Sequence, residues 1–332
     1  MGAEASIGVV GAGAWGTALA QALASDGTPV ILWARETDVA HAIRTSGENP
    51  RFLPGVRLSP ALSATDRLED LAKAALWLVA VPAQHLGAVL AQAPLGHRPH
   101  LVLCAKGIEA GTGRLMTEVA EVQAPGCRLA VLSGPSFAAD VAHGRPTAVT
   151  LAARSLADAE TLARRLARPH LRPYLSDDPV GAQVGGAVKN VLAIACGIVV
   201  GADLGESARA ALVARGFAEM TRFAVARGGR AATVAGLSGL GDLVLTCSSP
   251  RSRNMALGIA LGQGRCVADA LAGLPTVAEG VSTAPVLVAE ARRLRVEMPI
   301  AEAVADLLQG RIGVSDAMAR LLARPLRRED EG

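Results

Sequence analysis

The sequence predicts a doubly wound α/β domain followed by an all-α domain. Three observations predict it. Up to about residue 180, short apolar runs alternate with helix-periodic segments, the pattern of a mostly parallel sheet with helices packed on it. A glycine-rich turn joins the first such run to the first helical segment. Beyond residue 180 the strand-like runs stop, and long alanine- and leucine-rich segments separated by glycine and proline take over. The length, 332 residues, also exceeds what one hydrophobic core usually serves.

The elements follow in order. Residues 6–10 (SIGVV) form a short buried strand, then comes the glycine turn, then a helix running through Leu23. Further strands are expected at 29–34 (PVILWA), 76–81 (LWLVAV), 101–105 (LVLCA), 129–133 (LAVLS) and 147–152 (TAVTLA), with helices at 84–92 and 112–122 among them. The second half reads as helices near 184–202, 207–227, 231–236, 252–262, 266–272, 282–294 and 300–309, and the tail beyond Pro325 is expected to fray. The division is placed between domains 1–185 and 186–332.

Composition narrows the function classes. Apolar residues make up 51% and charged residues 19%, which suits large cores and argues against a disordered chain. The formal net charge of +3 gives no reason to expect nucleic acid, so attraction for an anion must come from a local site. Five cysteines without a CxxC point to buried thiols in a reducing, cytoplasmic compartment rather than to disulfides or zinc. Six histidines without a ligand pattern imply no metal. The first residues lack the basic region and long apolar core of a signal peptide. The most apolar stretch, residues 191–202, is shorter than the roughly 20 residues needed to span a bilayer and is expected to be a core helix. That apolar half could also carry a homodimer face, which periodicity does not separate from core.

Gly11-Ala12-Gly13-Ala14-Trp15-Gly16 is a GxGxxG string between a strand and a helix, the context a dinucleotide fingerprint requires. Gly11 permits the tight turn, Gly13 the approach of a pyrophosphate, and Gly16 close packing of helix on strand. The end of the second strand carries Arg35, followed by Glu36. An acidic residue alone there suits the ribose hydroxyls of NAD, whereas an arginine suits the 2′-phosphate of NADP. NADP(H) is therefore favoured, with NAD(H) use left open.

The basic residues are nearly all arginine; Lys73, Lys106 and Lys189 are the only lysines. Arginine does not give up its proton near neutral pH and lysine can, so each lysine is informative. Lys106 follows the strand 101–105, at a carboxyl end that faces the ligand crevice. Gly134 and Ser136 follow the strand 129–133 in the same way, as ligand contacts or as a turn before a helix. Lys189 stands among apolar neighbours in GGAVKN (185–190); burial there would bring its pKa towards the range of a general acid or base. Asp242, after a glycine-rich turn, could orient that lysine, accept a substrate hydroxyl, or cap a helix or turn. Ser252-Arg253-Asn254 precedes an apolar helix and reads as a phosphate site or as a helix cap beside a bystander arginine.

These segments, in this order, resemble the bacterial-type NAD(P)-dependent glycerol-3-phosphate dehydrogenase family from about Ile7 to Ile312. The carrying motifs are GAGAWGTALA (11–20), LPGV (53–56), AKGIE (105–109), SGPSFA (133–138), GAQVGGAVKNVLAI (181–194), GLGDLVLTC (239–247), SRN (252–254), AEGV (278–281) and EMPI (297–300). The resemblance implies a Rossmann domain and a helical domain like that of 6-phosphogluconate dehydrogenase. It implies reversible reduction of dihydroxyacetone phosphate to sn-glycerol 3-phosphate for glycerophospholipid synthesis. By motif position it makes Lys189 the proton donor and acceptor. Lys106, Gly134, Ser136, Lys189, Asp242, Ser252, Arg253 and Asn254 become substrate contacts. Gly11, Gly13, Trp15, Gly16, Arg35, Lys106, Ala138, Arg253, Val277 and Glu279 become cofactor contacts. A β-hydroxyacid or 6-phosphogluconate-type dehydrogenase, or a non-catalytic NADP-binding sensor, is the alternative.

Overall fold

The computed structural model describes residues 6–273, 278–323 and 328. The chain divides into two compact units, Met1–Ala105 with Met116–Pro179, and Lys106–Leu115 with Val180–Gly332.

The first unit contains an eight-stranded sheet. Its strands are β1 (Ile7–Val10), β2 (Val30–Trp33), β3 (Leu62–Thr65), β4 (Leu76–Val79), β5 (His100–Leu103), β6 (Arg128–Ser133), β7 (Thr147–Ala153) and β8 (Leu171–Ser176). Its helices are α1 (Ala14–Leu23), α2 (Thr37–Ser46), α3 (Leu86–Gln92), α4 (Met116–Gln123), α5 (Ala138–Ala142) and α6 (Leu156–Leu166). The strand order is β3-β2-β1-β4-β5-β6-β7-β8, and every neighbouring pair is parallel except β6 with β7.

Successive strand residues point to opposite faces, so each central strand feeds two cores. Val9, Leu32, Leu78 and Val102 enter one with Leu19 and Leu23 of α1 and Leu162 of α6. Val10, Trp33, Val79 and Leu103 enter the other with Leu86 of α3 and Met116 of α4. This is the doubly wound arrangement the sequence predicts. The chain runs outward from β1 to β3 and returns to β4 on the other side of β1. The carboxyl ends of β1 and β4 therefore form a topological switch point, where open α/β sheets bind ligands.

Two strands escaped the sequence reading. β3 (LSAT) and β8 (LRPYLS) are the sheet edges. Edge strands bury less, so they lack the continuous apolar run that marks central parallel strands; most of β8 is exposed or half-buried.

The second unit is helical: α7 (Pro179–Gly201), α8 (Glu206–Ala226), α9 (Ala231–Val234), α10 (Asp242–Cys247), α11 (Arg253–Gly262), α12 (Val267–Ala272), α13 (Glu279–Arg293), α14 (Pro299–Leu308) and α15 (Val314–Leu322). A π-helical turn, Leu237–Gly241, leads into α10. The division from the sequence stood at 185/186, but α7 already begins at Pro179 and carries 180–185 with the helices. Residues 106–115 also join this unit. They form a hairpin closed by an Ile108–Leu115 bridge, which is why the helix expected from 112 starts only at Met116. The tail expected to fray beyond Pro325 lies outside the described residues apart from Arg328.

Helix α7 spans 23 residues, well beyond the apolar run at 191–202. By length and composition it could cross a membrane, yet every residue from Gly181 to Val199 is buried. It is the central helix of this unit's core. Against α11 it packs backbone to backbone: a Cβ on Gly197 would lie 2.2 Å from the Met255 carbonyl oxygen, and one on Gly258 2.1 Å from that of Ile194. Glycines four residues further along each helix, Gly201 and Gly262, are equally crowded.

Candidate active site

In the α/β unit, the turn between β1 and α1 is built from backbone. A Cβ on Gly16 would stand 1.9 Å from the Gly11 carbonyl oxygen, so only glycine lets α1 start this close to β1. Space beside Gly13 is open. No side chain caps α1 and no acid occupies its first turn, which leaves its positive end available to an anion. The indole Nε1 of Trp15 is buried with no hydrogen-bond partner among the described residues. Orphaned buried donors normally find a partner, and a dinucleotide would supply one. These residues therefore fit the cofactor the fingerprint implies.

Asn49, fully buried, was not singled out in the sequence. Its Nδ2 donates to the Ala12 carbonyl at 2.9 Å and to Thr17 Oγ1 at 2.8 Å, bracing the turn from a loop 37 residues away. Nothing local in the sequence signals that contact. Arg35 leaves β2 with an exposed guanidinium, 2.7 Å from Glu36 Oε1. Glu36 occupies the N-cap position of α2 without capping it. Gly134, at φ +151, and Ser136, whose Oγ donates to the Gly134 carbonyl at 3.0 Å, form a turn after β6, and Ala138 opens α5. Ser133, just before that turn, has a buried hydroxyl without a partner among the described residues and was also missed. A groove of about 460 Å³ lined by Gln21, Ser25, Asp26, His143 and His170 lies at the C-terminal end of α1, away from the glycine turn.

In the helical unit, three predicted residues converge. Lys189 Nζ lies 2.7 Å from Asp242 Oδ1, and Lys106 Nζ lies 2.7 Å from Asp242 Oδ2. Their side chains are 9%, 14% and 1% exposed for Lys189, Lys106 and Asp242. Lys189 also donates to Thr246 Oγ1 at 2.8 Å, and Thr246 in turn donates to the Asp242 carbonyl at 2.6 Å. Two ammoniums around one carboxylate leave one buried positive charge in excess.

Burial pushes the Lys189 pKa down and the Lys106 charge adds to that; Asp242 opposes both, and the balance is about 8. Burial alone would raise the pKa of Asp242, but the two ammoniums outweigh it and hold the carboxyl below its usual range. The π-helical turn matters here: such bulges shift the register of a helix and are frequent at functional sites, and this one ends directly at Asp242.

A second network surrounds the first. Asn190 Nδ2 donates to the Lys106 carbonyl at 3.1 Å, Asn254 Nδ2 donates to Asn190 Oδ1 at 3.0 Å, and the Gly280 amide donates to Asn254 Oδ1 at 3.0 Å. It ties the Lys106 hairpin, α7, α11 and α13 together. The side chain of Asn254 thus braces helices, and Ser252 Oγ caps α11 by accepting from the Met255 amide at 3.3 Å. Arg253, at the head of α11, is exposed. Glu279 opens α13, and Val277 lies outside the described residues. Among the described residues, no group of three His, Cys, Asp or Glu side chains could hold a metal. Thr246 and Asn190 were missed in the sequence. Thr246 stands four residues after Asp242, on the same helix face, and Asn190 adjoins Lys189 as a second polar residue in an apolar helix; those were the available signals.

A doubly wound sheet with a dinucleotide-type turn, together with a helical unit that buries a lysine on a carboxylate, is the arrangement of the nicotinamide-dependent dehydrogenases as a class. The comparisons with known proteins agree and go further. The family described as NAD-dependent glycerol-3-phosphate dehydrogenase matches through its N-terminal model over residues 6–159 and its C-terminal model over 178–319. A glycerol-3-phosphate dehydrogenase [NAD(P)+] of Sphingopyxis alaskensis is 56% identical over 326 residues, 98% of each chain. A crystal structure of a glycerol-3-phosphate dehydrogenase from Coxiella burnetii superposes with a TM-score of 0.92 at 37% identity, covering 97% of this chain and 99% of that one. The solved structure of a glycerol-3-phosphate dehydrogenase from Saccharomyces cerevisiae superposes with a TM-score of 0.81 at 25% identity, covering 95% of this chain and 99% of that one. The chain belongs to the NAD-dependent glycerol-3-phosphate dehydrogenase family.

Proposed function

We propose that the protein catalyses the reversible, NAD(P)H-dependent reduction of dihydroxyacetone phosphate to sn-glycerol 3-phosphate, the backbone for glycerophospholipid synthesis. The observation that carries this reading is Lys189, buried, with a pKa of about 8 and held by Asp242 and Thr246. An ammonium has three N–H donors. Asp242 and Thr246 take two, and the third serves the substrate carbonyl oxygen. Reduced nicotinamide, when bound, supplies the hydride. As negative charge develops on that oxygen, Lys189 stabilises it and delivers the proton; in the oxidative direction the neutral amine takes the proton back.

Asp242 orients the ammonium, and Lys106 adds the excess positive charge that favours an anionic substrate. Gly134 and Ser136 complete the substrate contacts from their turn. Arg253 binds the phosphate beside the N-terminus of α11. Ser252, which accepts a backbone hydrogen bond, keeps its own hydroxyl hydrogen to donate there, and Asn254 holds the head of α11 in place. Binding at this remote phosphate orients the carbonyl.

Gly11, Gly13, Trp15 and Gly16 hold the dinucleotide, joined by Lys106, Ala138, Arg253, Val277 and Glu279. Arg35 supports a preference for NADP(H) over NAD(H). The five free thiols support a reducing, cytoplasmic setting. The test is oxidation of NADPH and NADH by purified protein with dihydroxyacetone phosphate, and with unphosphorylated dihydroxyacetone as control. Phosphate-dependent oxidation is expected. Binding of NADPH without turnover would sink the reading.

A further inference from the structure

The hairpin 106–115 carries Lys106 at its first residue. Its stem is buried: Ile108 and Leu115 are each 1% exposed in the helical core. Across the stem, the Glu109 amide donates to the Arg114 carbonyl at 2.9 Å and the Gly113 amide to the Glu109 carbonyl at 3.0 Å. The tip lies against one carboxylate. Gly113 has φ +69, and a Cβ there would lie 2.4 Å from both Cδ and Oε1 of Glu290 on α13. The other oxygen, Oε2, faces Arg227 Nη1 at 3.0 Å and Arg293 Nη2 at 2.8 Å. The Glu290 and Arg227 side chains are only 13% and 10% exposed. A buried ion pair is a poor way to gain stability, because desolvation offsets the attraction. This one is placed where a glycine leaves room for it and nothing larger.

We propose that Glu290, held by Arg227, is a positioning residue: it seats the tip of the hairpin and so holds the Lys106 ammonium on Asp242. The inference rests on the substrate role of Lys106 given above. It reaches the chemistry through charge. The titratable groups that act on Lys189 are Asp242, Lys106 and the Cys247 thiol. Lys106 lowers the Lys189 pKa, so a hairpin that drifts off Asp242 lets that pKa rise.

The test compares Glu290→Gln with Lys106→Gln in the full-length protein. Glu290→Gln is expected to raise KM for dihydroxyacetone phosphate roughly ten-fold or more, as misplacement of a binding group does. It should leave the dissociation constant for NADPH unchanged and move the basic limb of kcat to higher pH, in the same direction as Lys106→Gln. Wild-type KM and pH limb in Glu290→Gln, beside a clear effect of Lys106→Gln, would overturn the inference and leave the proposed function intact. No effect of Lys106→Gln would overturn the role of Lys106 and the inference with it. If Glu290→Gln does not fold, Gly113→Ala sets a methyl group against the Glu290 carboxylate and parts it from the hairpin. The same rise in KM is expected, and a wild-type KM overturns the inference.

Discussion

In the α/β unit, the turn from Gly11 to Gly16 contains no ionisable side chain, and what it offers an anion is backbone and the uncapped start of α1. In the helical unit, Lys106, Lys189 and Asp242 bury three charges within hydrogen-bonding distance. In the proposed mechanism the first device recognises a charge that arrives with the ligand and does not change, whereas the second has to create and remove a charge during the reaction, which backbone dipoles cannot do. On that proposal the chain uses backbone where a ligand is only held and titratable side chains where a proton moves.

Substitutions can break each half of that contrast. The largest effect is expected for Lys189→Ala: kcat for ketone reduction should fall roughly 10²–10⁴-fold while NADPH still binds, read from turnover beside coenzyme titration. In the unsubstituted protein, reduction needs the ammonium and oxidation the neutral amine. With the Lys189 pKa at about 8, kcat for reduction should fall as pH rises through that value, and kcat for oxidation should rise.

Next comes Asp242→Asn. It leaves two buried ammoniums without their carboxylate, which typically costs about 3–5 kcal/mol and should show as a lower Tm. Asp242 is what holds the Lys189 pKa up, so any remaining reduction should be lost at lower pH than before; an unmoved limb would contradict the assigned roles. Gly16→Ala drives a methyl into the Gly11 carbonyl. Overpacking of this kind costs about 1–3 kcal/mol and should weaken coenzyme binding with little change in the Lys189 limb. The smallest effect belongs to Arg35→Ala. Its pair with Glu36 is exposed and such pairs contribute about 0–1 kcal/mol, so the fold should be unaffected. KM for NADPH should rise by a few-fold and KM for NADH should not; equal changes would remove Arg35 as the coenzyme discriminator.

The backbone half was legible in the sequence because its determinants are local: six consecutive residues between a strand and a helix. The strands at the sheet edges were not, because β3 (LSAT) and β8 (LRPYLS) interrupt their apolar residues with polar ones and, in β8, a proline. In the helical unit, Lys106, Lys189 and Asp242 each stood out by residue type. Their meeting did not: Lys106 reaches Asp242 across 136 residues of chain, and Lys189 across 53. The sharing of one carboxylate by both lysines depends on the hairpin leaving the sheet to join the helices, and no periodicity encodes that. Asn190 and Thr246 were overlooked for a related reason: a single amide or hydroxyl in an apolar run looks like a tolerated polar residue until its partner is known, and Asn49, in the polar stretch 46–51, looks like an ordinary turn residue.

The glycine contact between α7 and α11 has a consequence for motion. Where carbonyl oxygen faces glycine Cα, no side chain lies between the helices that could change rotamer and let one slide along the other. Such elements open to solvent only when the surrounding unit unfolds, so the slowest hydrogen exchange in the chain is expected along α7 from Ile194 to Gly201. Lys189 stands less than two turns before that stretch, on the same rigid helix. The backbone that carries Lys189, the proposed proton donor, is therefore expected to keep its place whatever binds around it.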